Sequence, residues 1–248
     1  REINALIGST VRMEFRQQIN CVHCGRLTKK SFNQGYCYPC FQRLAQCDSC
    51  IVSPEKCHYF EGTCREPEWG ESHCLIDHIV YLANSSGVKV GITRGTQVPT
   101  RWIDQGAVAA LPIFRVSNRL QSGLVETLFK AHVADKTSWQ AMLKGAPSEV
   151  DLAARRDELS ALCQPGIAEL QERYGIQAIQ PITDIAVQHI RFPVETYPLK
   201  VKSFNLDKDP LVEGTLMGIK GQYLIFDTGV INIRKYAGYH IELSSESL

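Results

Sequence analysis

The sequence predicts an α+β protein with three consecutive parts: a cysteine-rich metal-binding module at residues 1–74, a mixed α/β domain at 75–145, and a helix with a small β-barrel-like domain at 146–248. Nine of the ten cysteines fall between positions 21 and 74. Strand and helix patterns alternate over the middle part, and short strand patterns dominate from residue 196 onward. A chain of 248 residues is long enough for two or three domains of ordinary size.

Charge and hydropathy exclude several classes of protein. Lys plus Arg number 27 and Asp plus Glu number 26, which excludes a histone-like basic protein and an acidic disordered chain. No apolar run is long enough to cross a membrane, and no basic-then-apolar leader is present, so we expect a cytoplasmic protein without a membrane partner. Residues 75–145 carry eight basic and four acidic side chains, whereas 146–248 carry ten and fourteen. The basic middle suits a polyanion, DNA or RNA.

Two C-x2-C pairs, Cys21 with Cys24 and Cys37 with Cys40, are separated by twelve residues. Such a turn points two thiolates at one ion about 2.3 Å away, and a second turn completes a tetrahedron. Disulfides are the alternative, but they are typical of secreted proteins. We therefore assign these four cysteines to one structural Zn²⁺, as in a zinc ribbon or a treble clef.

The second cysteine group offers five candidates for a four-ligand site: Cys47, Cys50, Cys57, Cys64 and Cys74. Its first four members have the looser spacing C-x2-C-x6-C-x6-C. Four thiolates suit either a [4Fe–4S] cluster or a second Zn²⁺, and both assignments stay open, as does the choice of four ligands. Such a site is structural, because four thiolates leave no open coordination position.

A β-hairpin is predicted after the cysteines, with strands at 78–83 and 88–93 around the turn 84–87. The alternation places Val80, Leu82, Val88, Val90 and Ile92 on the core face. Ile79, Tyr81, Ala83, Lys89, Gly91 and Thr93 share the other face. A tyrosine and a lysine are therefore expected to point outward beside a glycine that leaves room for a ligand.

Three further elements follow the hairpin. A short helix is predicted from Pro99 or Thr100 to Gly106, and a strand from Ala109 to Val116. An amphipathic helix is predicted from Leu120 to Val133, with Glu126 off its apolar stripe. The residues of that stripe are Leu124, Val125, Leu128 and Phe129.

This order of a Tyr strand, a Lys-x-Gly strand, a helix with Arg, a strand and a helix with Glu resembles the GIY-YIG nuclease superfamily over residues 76–140. The tyrosine of the first motif corresponds to Tyr81 and the glycine of the second motif to Gly91. The helix arginine corresponds to Arg101 and the metal-binding glutamate to Glu126. Two departures are present: the first motif lacks its leading glycine, and Lys89 stands at the second motif's tyrosine position, as in several branches of the superfamily.

The resemblance implies a metal-dependent endonuclease with Mg²⁺ or Mn²⁺. Glu126 would hold the cation, and Arg101 would grip the scissile phosphate with its planar fork. Tyr81 would act as the base, with its pKa lowered by metal-bound water and by the ammonium of Lys89.

Four residues near this centre are candidates for contacting nucleic acid: Gly91, Thr93, Arg94 and Trp102. Trp102 has packing in the core as its alternative role. Glycine permits close approach of a backbone, and arginine pairs with phosphate.

The remaining chain predicts a helix over 148–174, then strands at Tyr197–Phe204 and Gly214–Gly221 and a hairpin formed by Gln222–Phe226 and Val230–Arg234. Several short strands of this kind suit a small barrel of OB-like or SH3-like type. Three modules suit a nuclease that selects branched or flapped DNA by its shape. The alternatives are an inactive nucleic-acid-binding protein with a nuclease-like fold and a metal- or redox-sensing nucleic-acid-binding protein.

Overall fold

The computed structural model describes residues 2–133, 136 and 138–246. The α-helices of this part are α1 (Tyr38–Arg43), α2 (Pro67–His73), α3 (Thr100–Asp104), α4 (Arg119–Lys130), α5 (Trp139–Met142) and α6 (Leu152–Tyr174). The strands are β1 (Thr10–Asn20), β2 (Leu27–Thr28), β3 (His78–Asn84), β4 (Val88–Arg94), β5 (Ala109–Val116), β6 (Ile179–Pro181), β7 (Gln188–His189), β8 (Leu211–Lys220), β9 (Tyr223–Phe226), β10 (Val230–Asn232) and β11 (Tyr239–Glu246).

The chain forms two compact units. Unit 1 consists of Arg1–Arg43, Leu143–Gly145 and Arg191–Leu248, and unit 2 of Leu44–Met142 and Ala146–Ile190. These boundaries differ from the predicted ranges 1–74, 75–145 and 146–248. The two cysteine groups fall into different units, because β1 joins the C-terminal strands before the first cysteine is reached.

Unit 1 contains an antiparallel sheet with the order β10–β9–β8–β1–β11, and β2 pairs with β1. The alternating residues Val11, Met13 and Phe15 of β1 are buried in its core, as expected for a strand with one covered face. Bulges interrupt the pairing in β1 after Phe15 and in β8 after Leu216. Bulges bend a strand, and the sheet forms a half-barrel that is open at β10 and β11.

The C-terminal prediction of strands is confirmed in part. The hairpin of β9 and β10 closes through the amide of Phe226, which donates to the carbonyl of Gly229 at 2.7 Å. The strand predicted at Tyr197–Phe204 is wrong, since that segment is irregular apart from one bridge between Ser203 and Val230. The sheet of unit 1 contains β1 and β11 in addition to the C-terminal strands β8, β9 and β10.

A buried lysine holds the short segment Leu143–Gly145 within unit 1. Lys220 is completely buried, and its ammonium donates to the carbonyl of Gly145 at 2.9 Å. The rings of Phe192 and Tyr197 lie 5.8 and 5.1 Å from the same nitrogen. Burial lowers the pKa of Lys220 to about 8, so the carbonyl and the ring faces compensate only part of the lost hydration.

Unit 2 contains the second antiparallel sheet, with the order β4–β3–β5–β6, and β7 pairs with β5. The predicted hairpin is confirmed as β3 and β4, and the predicted third strand is confirmed as β5. Pro112 lies opposite Tyr81, where the pairing of β3 and β5 shifts register. A proline in a central strand lacks one ladder donor, and the irregular register accommodates it.

Both faces of this sheet are covered. The expected core face packs against α4 and α6 in a cluster that includes Val80, Val125 and Leu159. The opposite face, expected to point outward, is covered by α3, and Tyr81 and Lys89 are buried. Trp102 of α3 fills the space over this face, so the expectation of an exposed tyrosine and lysine is wrong.

The two predicted long helices are present as α4 and α6. The helix α6 begins at Leu152 instead of Ser148, because Asp151 caps it by accepting hydrogen bonds from the amides of Ala153 and Ala154. Gly166 lets α6 approach α4, since a Cβ there would lie 2.7 Å from a methyl group of Leu128. No helix within the described residues is long and apolar enough to span a bilayer.

Candidate metal centres and candidate active site

The first cysteine group converges on one point in unit 1. The four sulfur atoms of Cys21, Cys24, Cys37 and Cys40 all lie within 4.8 Å of one another, and those of Cys24 and Cys37 are 3.7 Å apart. A tetrahedral zinc with 2.3 Å bonds places its sulfurs about 3.8 Å apart. The predicted grouping of these four thiols is confirmed, and the arrangement fits a structural metal ion.

The backbone around these cysteines explains the convergence. The first pair occupies the turn between β1 and β2, where the amide of Gly25 donates to the carbonyl of Cys21 at 2.9 Å. The second pair begins at Cys37 and continues into α1, which carries Cys40. Burial raises the pKa of Cys21, but hydrogen bonds from nearby backbone amides outweigh this effect and bring the pKa to about 6. Thiolates are the species that bind metal, so this turn favours the form that ligates.

The second cysteine group surrounds a pocket in unit 2. Four of its five candidates line that pocket: Cys50, Cys57, Cys64 and Cys74. Apolar and aromatic neighbours, among them Ile51, Tyr59 and Trp69, complete the wall. Cys47 is buried and does not line the pocket. Four of the five candidate metal ligands therefore line one pocket, and Cys47 does not.

One polar corner of the pocket is held by local hydrogen bonds. Asp48, Cys50 and His58 each place one possible ligand atom within 4.8 Å of the others. The carboxylate of Asp48 accepts from the amide of Ser49 at 2.6 Å and pairs with the guanidinium of Arg65 at 2.8 Å. Asp48 thus caps the short 3-10 helix that carries Cys50.

Arg119, which the sequence analysis did not single out, joins the cysteine loops to α4. Its guanidinium donates to the carbonyl of Ile51 at 2.5 Å, and its amide donates to the carbonyl of Cys74 at 2.8 Å. The charge of Arg119 also acts on the thiols of Cys50 and Cys74 and on Glu126. Nothing local in the sequence relates position 119 to position 50, so sequence patterns could not have found this contact.

Tyr81 is the centre of the candidate active site. Its ring is completely buried, and its hydroxyl donates to the side-chain oxygen of Gln105 at 2.9 Å. Gly91 lies opposite Tyr81 in the pairing of β3 with β4, and a Cβ at Gly91 would meet the hydroxyl oxygen at 2.8 Å. Gln105 was missed by the sequence analysis, although its position one helical turn after Arg101 could have indicated it.

The predicted arginine and glutamate act on Tyr81 in the folded protein. Burial raises the pKa of Tyr81 to about 12, the charge of Arg101 opposes this rise, and the charge of Glu126 adds to it. The phenol is therefore neutral at pH 7, and the lowered pKa expected for a base is one that metal-bound water and the ammonium of Lys89 would have to bring about. Arg101 in α3 and Glu126 in α4 are thus near enough to Tyr81 in β3 for their charges to act on its phenol. Glu126 itself is buried and pairs with Lys130 at 3.2 Å, although it was expected off the apolar stripe of its helix.

The other predicted site residues lie on or beside the same sheet face. Lys89 and Thr93 are buried in β4, and Arg94 is half-buried at its end. Trp102 is completely buried, with its ring centroid 5.8 Å from that of Tyr81. The role of Trp102 as a surface contact for nucleic acid is therefore wrong, and the packing alternative holds.

His78, the first residue of β3, is a buried titratable group. Its Nδ1 donates to the carbonyl of Ile76 at 2.7 Å, and its Nε2 is buried without a hydrogen-bond partner. Burial lowers the pKa of His78 to about 4, and the nearby charges of Arg119 and Arg94 contribute in the same direction. The imidazole is therefore neutral at pH 7.

Comparison with known proteins identifies one family. A family model with the description "Protein of unknown function (DUF2797)" matches residues 8–241. No curated protein and no solved structure matches the chain significantly.

Proposed function

The chain belongs to the DUF2797 family of proteins of unknown function, and we propose that its unit 2 hydrolyses phosphodiester bonds in DNA with the help of a divalent cation. The observation that carries this proposal is the buried hydroxyl of Tyr81, which donates to the side chain of Gln105 at 2.9 Å and lies within reach of the charges of Arg101 and Glu126. Metal-dependent cleavage of a phosphodiester uses a ligand for the cation, a base for water and a positive group for the phosphate, and a carboxylate, a phenol and a guanidinium can supply these functions. The resemblance to the GIY-YIG superfamily assigns these same three positions.

Each residue has a defined task in this proposal. Arg101 binds the scissile phosphate, because a planar guanidinium matches two phosphate oxygens. Tyr81 takes a proton from the attacking water, and Gln105 orients its hydroxyl. Lys89, buried in the strand next to Tyr81, supplies positive charge near the phenol. A neutral phenol with a raised pKa needs added positive charge before it can act as a base.

The carboxylate of Glu126 fits a weakly held Mg²⁺ or Mn²⁺. Magnesium is commonly bound through one or two carboxylates together with substrate phosphates, and Glu126 is a buried carboxylate whose charge acts on the phenol. When bound, the cation would lower the pKa of water and stabilise charge on the phosphate. Oε2 of Glu126 is paired with Lys130 at 3.2 Å, so this ammonium competes with a cation for the carboxylate.

The same ion pair favours a second candidate function, a nucleic-acid-binding protein that keeps the fold and lacks catalysis. In that case Lys130 occupies the carboxylate permanently, and the surrounding cations bind phosphate. Eight basic residues against four acidic ones over 75–145 suit this function equally.

We also propose zinc as the ion of the first cysteine centre, because the sulfur spacing of 3.7 Å matches a tetrahedral zinc. The second cysteine group holds a further metal centre. In this proposal neither centre takes part in the cleavage step, and branched or flapped DNA is the proposed substrate. The half-barrel of unit 1 is proposed to contribute to the choice of substrate.

The test is incubation of the pure protein with Mn²⁺ or Mg²⁺ and a panel of branched, flapped and linear DNAs. The parent protein should cut at least one substrate, Glu126→Gln should lose cleavage and keep binding, and Tyr81→Phe should lose about 10²–10⁴-fold. Glu172→Gln, which removes an exposed carboxylate from α6, is the matched control and should cut like the parent. Equal cleavage by all four proteins would reject this active site. Binding without cleavage by the parent would favour the second candidate.

A further inference from the structure

We propose that Cys50, Cys57, Cys64 and Cys74 hold a [4Fe–4S] cluster, and that Cys47 is not a ligand. This assigns a specific ligand set and a specific cofactor to the second cysteine group. The proposal does not depend on the nuclease activity proposed for unit 2.

The four cysteines reach the pocket from separate segments of the chain. Cys50 lies in the 3-10 helix Ser49–Ile51, and Cys57 directly follows the 3-10 helix Pro54–Lys56. Cys64 lies in the loop before α2, and Cys74 directly follows α2. Cys47 ends the 3-10 helix Ala45–Cys47 and is buried outside the pocket lining. The resulting ligand pattern is C-x6-C-x6-C-x9-C.

The distances between sulfur atoms distinguish a site for a cluster from a site for a single metal ion. A tetrahedral zinc draws four sulfurs to about 3.8 Å from one another. In the first cysteine group of the same protein the sulfurs of Cys24 and Cys37 are 3.7 Å apart, and all four lie within 4.8 Å of one another. The only other set of ligating side chains that converges within 4.8 Å among the described residues is Asp48, Cys50 and His58. The four pocket cysteines line one space, but no three of their sulfur atoms lie within 4.8 Å of one another. A cubane cluster suits this arrangement, because each thiolate binds a different iron at a different corner.

The surroundings of the pocket suit a buried anion. A cluster held by four thiolates carries negative charge, and the guanidinium of Arg119 lies against the loop of Cys50, where it donates to the carbonyls of Cys50 and Ile51 at 3.5 and 2.5 Å. The side chains of Ile51, Tyr59 and Trp69 cover the pocket with apolar surface, which limits access of water to a cluster.

A mononuclear ion on Asp48, Cys50 and His58 is the competing arrangement. The carboxylate of Asp48 is already engaged by Arg65 at 2.8 Å and by the amide of Ser49 at 2.6 Å. The Nδ1 atom of His58 lies 2.8 Å from the hydroxyl oxygen of Thr63. These contacts position the loop that carries Cys50, and we assign Asp48 and His58 to that role.

The experiment is anaerobic purification of the full chain, followed by iron, sulfide and zinc analysis and by electron paramagnetic resonance after reduction. We expect about four irons and four sulfides per chain together with one zinc. Cys57→Ser and Cys64→Ser should lose at least half of the iron and change the resonance spectrum. Cys47→Ser should keep both, and His58→Ala, which removes a contact of the loop and no ligand, should keep more of the iron than Cys57→Ser or Cys64→Ser. Because the first centre lies in unit 1 and the variants lie in unit 2, a far-UV circular dichroism spectrum like that of the parent is the measurement that shows each variant has folded.

Three results would overturn the proposal. Two zincs per chain without sulfide would show that the second centre is mononuclear. Loss of the metal in His58→Ala with retention in Cys64→Ser would assign it to Asp48, Cys50 and His58. Loss of the cluster in Cys47→Ser while Cys57→Ser keeps it would show that the ligand set is wrong. None of these outcomes bears on DNA cleavage, so this proposal and the nuclease proposal fail separately.

Discussion

Gly91 lies against the hydroxyl end of Tyr81, so closely that a Cβ on Gly91 would be 2.8 Å from both the hydroxyl oxygen and the carbon that bears it. The two residues are paired across β4 and β3, and the ring cannot move aside because Tyr81 is completely buried under Trp102. A side chain at position 91 would therefore compete with the tyrosine for the same space.

Gly91→Ala should lower the free energy of unfolding by about 1–3 kcal/mol, the usual cost of overpacking a dense core. Denaturant unfolding measures this change. Gly95→Ala is the control, since a Cβ there would meet only the carbonyl oxygen of Asp77 at an ordinary 3.6 Å. In the double variant with Tyr81→Phe the loss should be smaller, because the closest oxygen is gone. Equal stability of Gly91→Ala and Gly95→Ala would contradict the contact.

Cys37→Ser should lose the zinc of the first centre and become insensitive to chelators. A structural metal contributes folding free energy, so the variant should also unfold at a lower denaturant concentration. Metal analysis and denaturant unfolding with and without EDTA test both statements. Cys163→Ser is the matched control, because that cysteine is buried in α6 and belongs to neither group. A Cys37→Ser protein that retains its zinc would contradict the assignment.

The pH dependence of stability should carry a contribution from His78. Its pKa is about 4 in the folded protein and near 6.5 when unfolded, so the unfolded chain binds more protons between these values. Stability should therefore rise with pH across this window, and up to about 3 kcal/mol should be lost as the pH falls from 6.5 to 4.

His78→Gln should reduce this slope, as measured by denaturant unfolding at a series of pH values. The same series on His240→Gln, which changes an exposed histidine of β11, should follow the parent. A slope that is identical in the parent and in His78→Gln would show that His78 does not titrate as described.

Gly123→Ala should weaken the attachment of the second cysteine group to α4. A Cβ at Gly123 would lie 2.4 Å from the backbone nitrogen of Glu55, and backbone cannot yield as a flexible side chain does. Alanine gains about 1 kcal/mol over glycine in a helix, but this close contact should outweigh that gain and leave a net loss of stability. Thr127→Ala, at an exposed position of the same helix, is the control.

The same variant also tests the cluster proposal. We expect the iron content of Gly123→Ala to fall, because the 3-10 helix Pro54–Lys56 that precedes Cys57 has to shift. Iron analysis of Gly123→Ala and Thr127→Ala measures this effect. Full iron content in a destabilised Gly123→Ala protein would show that the pocket does not depend on its contact with α4.

Local patterns by themselves determined the grouping of the first four cysteines and the order of elements in the middle of the chain. A C-x2-C turn is built from four successive residues, so its thiols point together wherever the chain places it. Strand alternation is equally local, and it identified β3, β4 and β5 and the faces that Val80 and Tyr81 occupy. The helices α4 and α6 followed from periodicity in the same way.

Only the tertiary structure decided which faces are covered and which distant residues meet. Alternation places Tyr81 opposite Val80, but whether that face meets water depends on α3, which folds Trp102 over it. The spacing of the second cysteine group left the choice of four ligands open, and in the folded chain four of the five cysteines line one pocket while Cys47 does not. The pairing of β1 with β8 and β11 joins the two ends of the chain. Such contacts depend on the packing of segments that are far apart in sequence, and no local pattern encodes them.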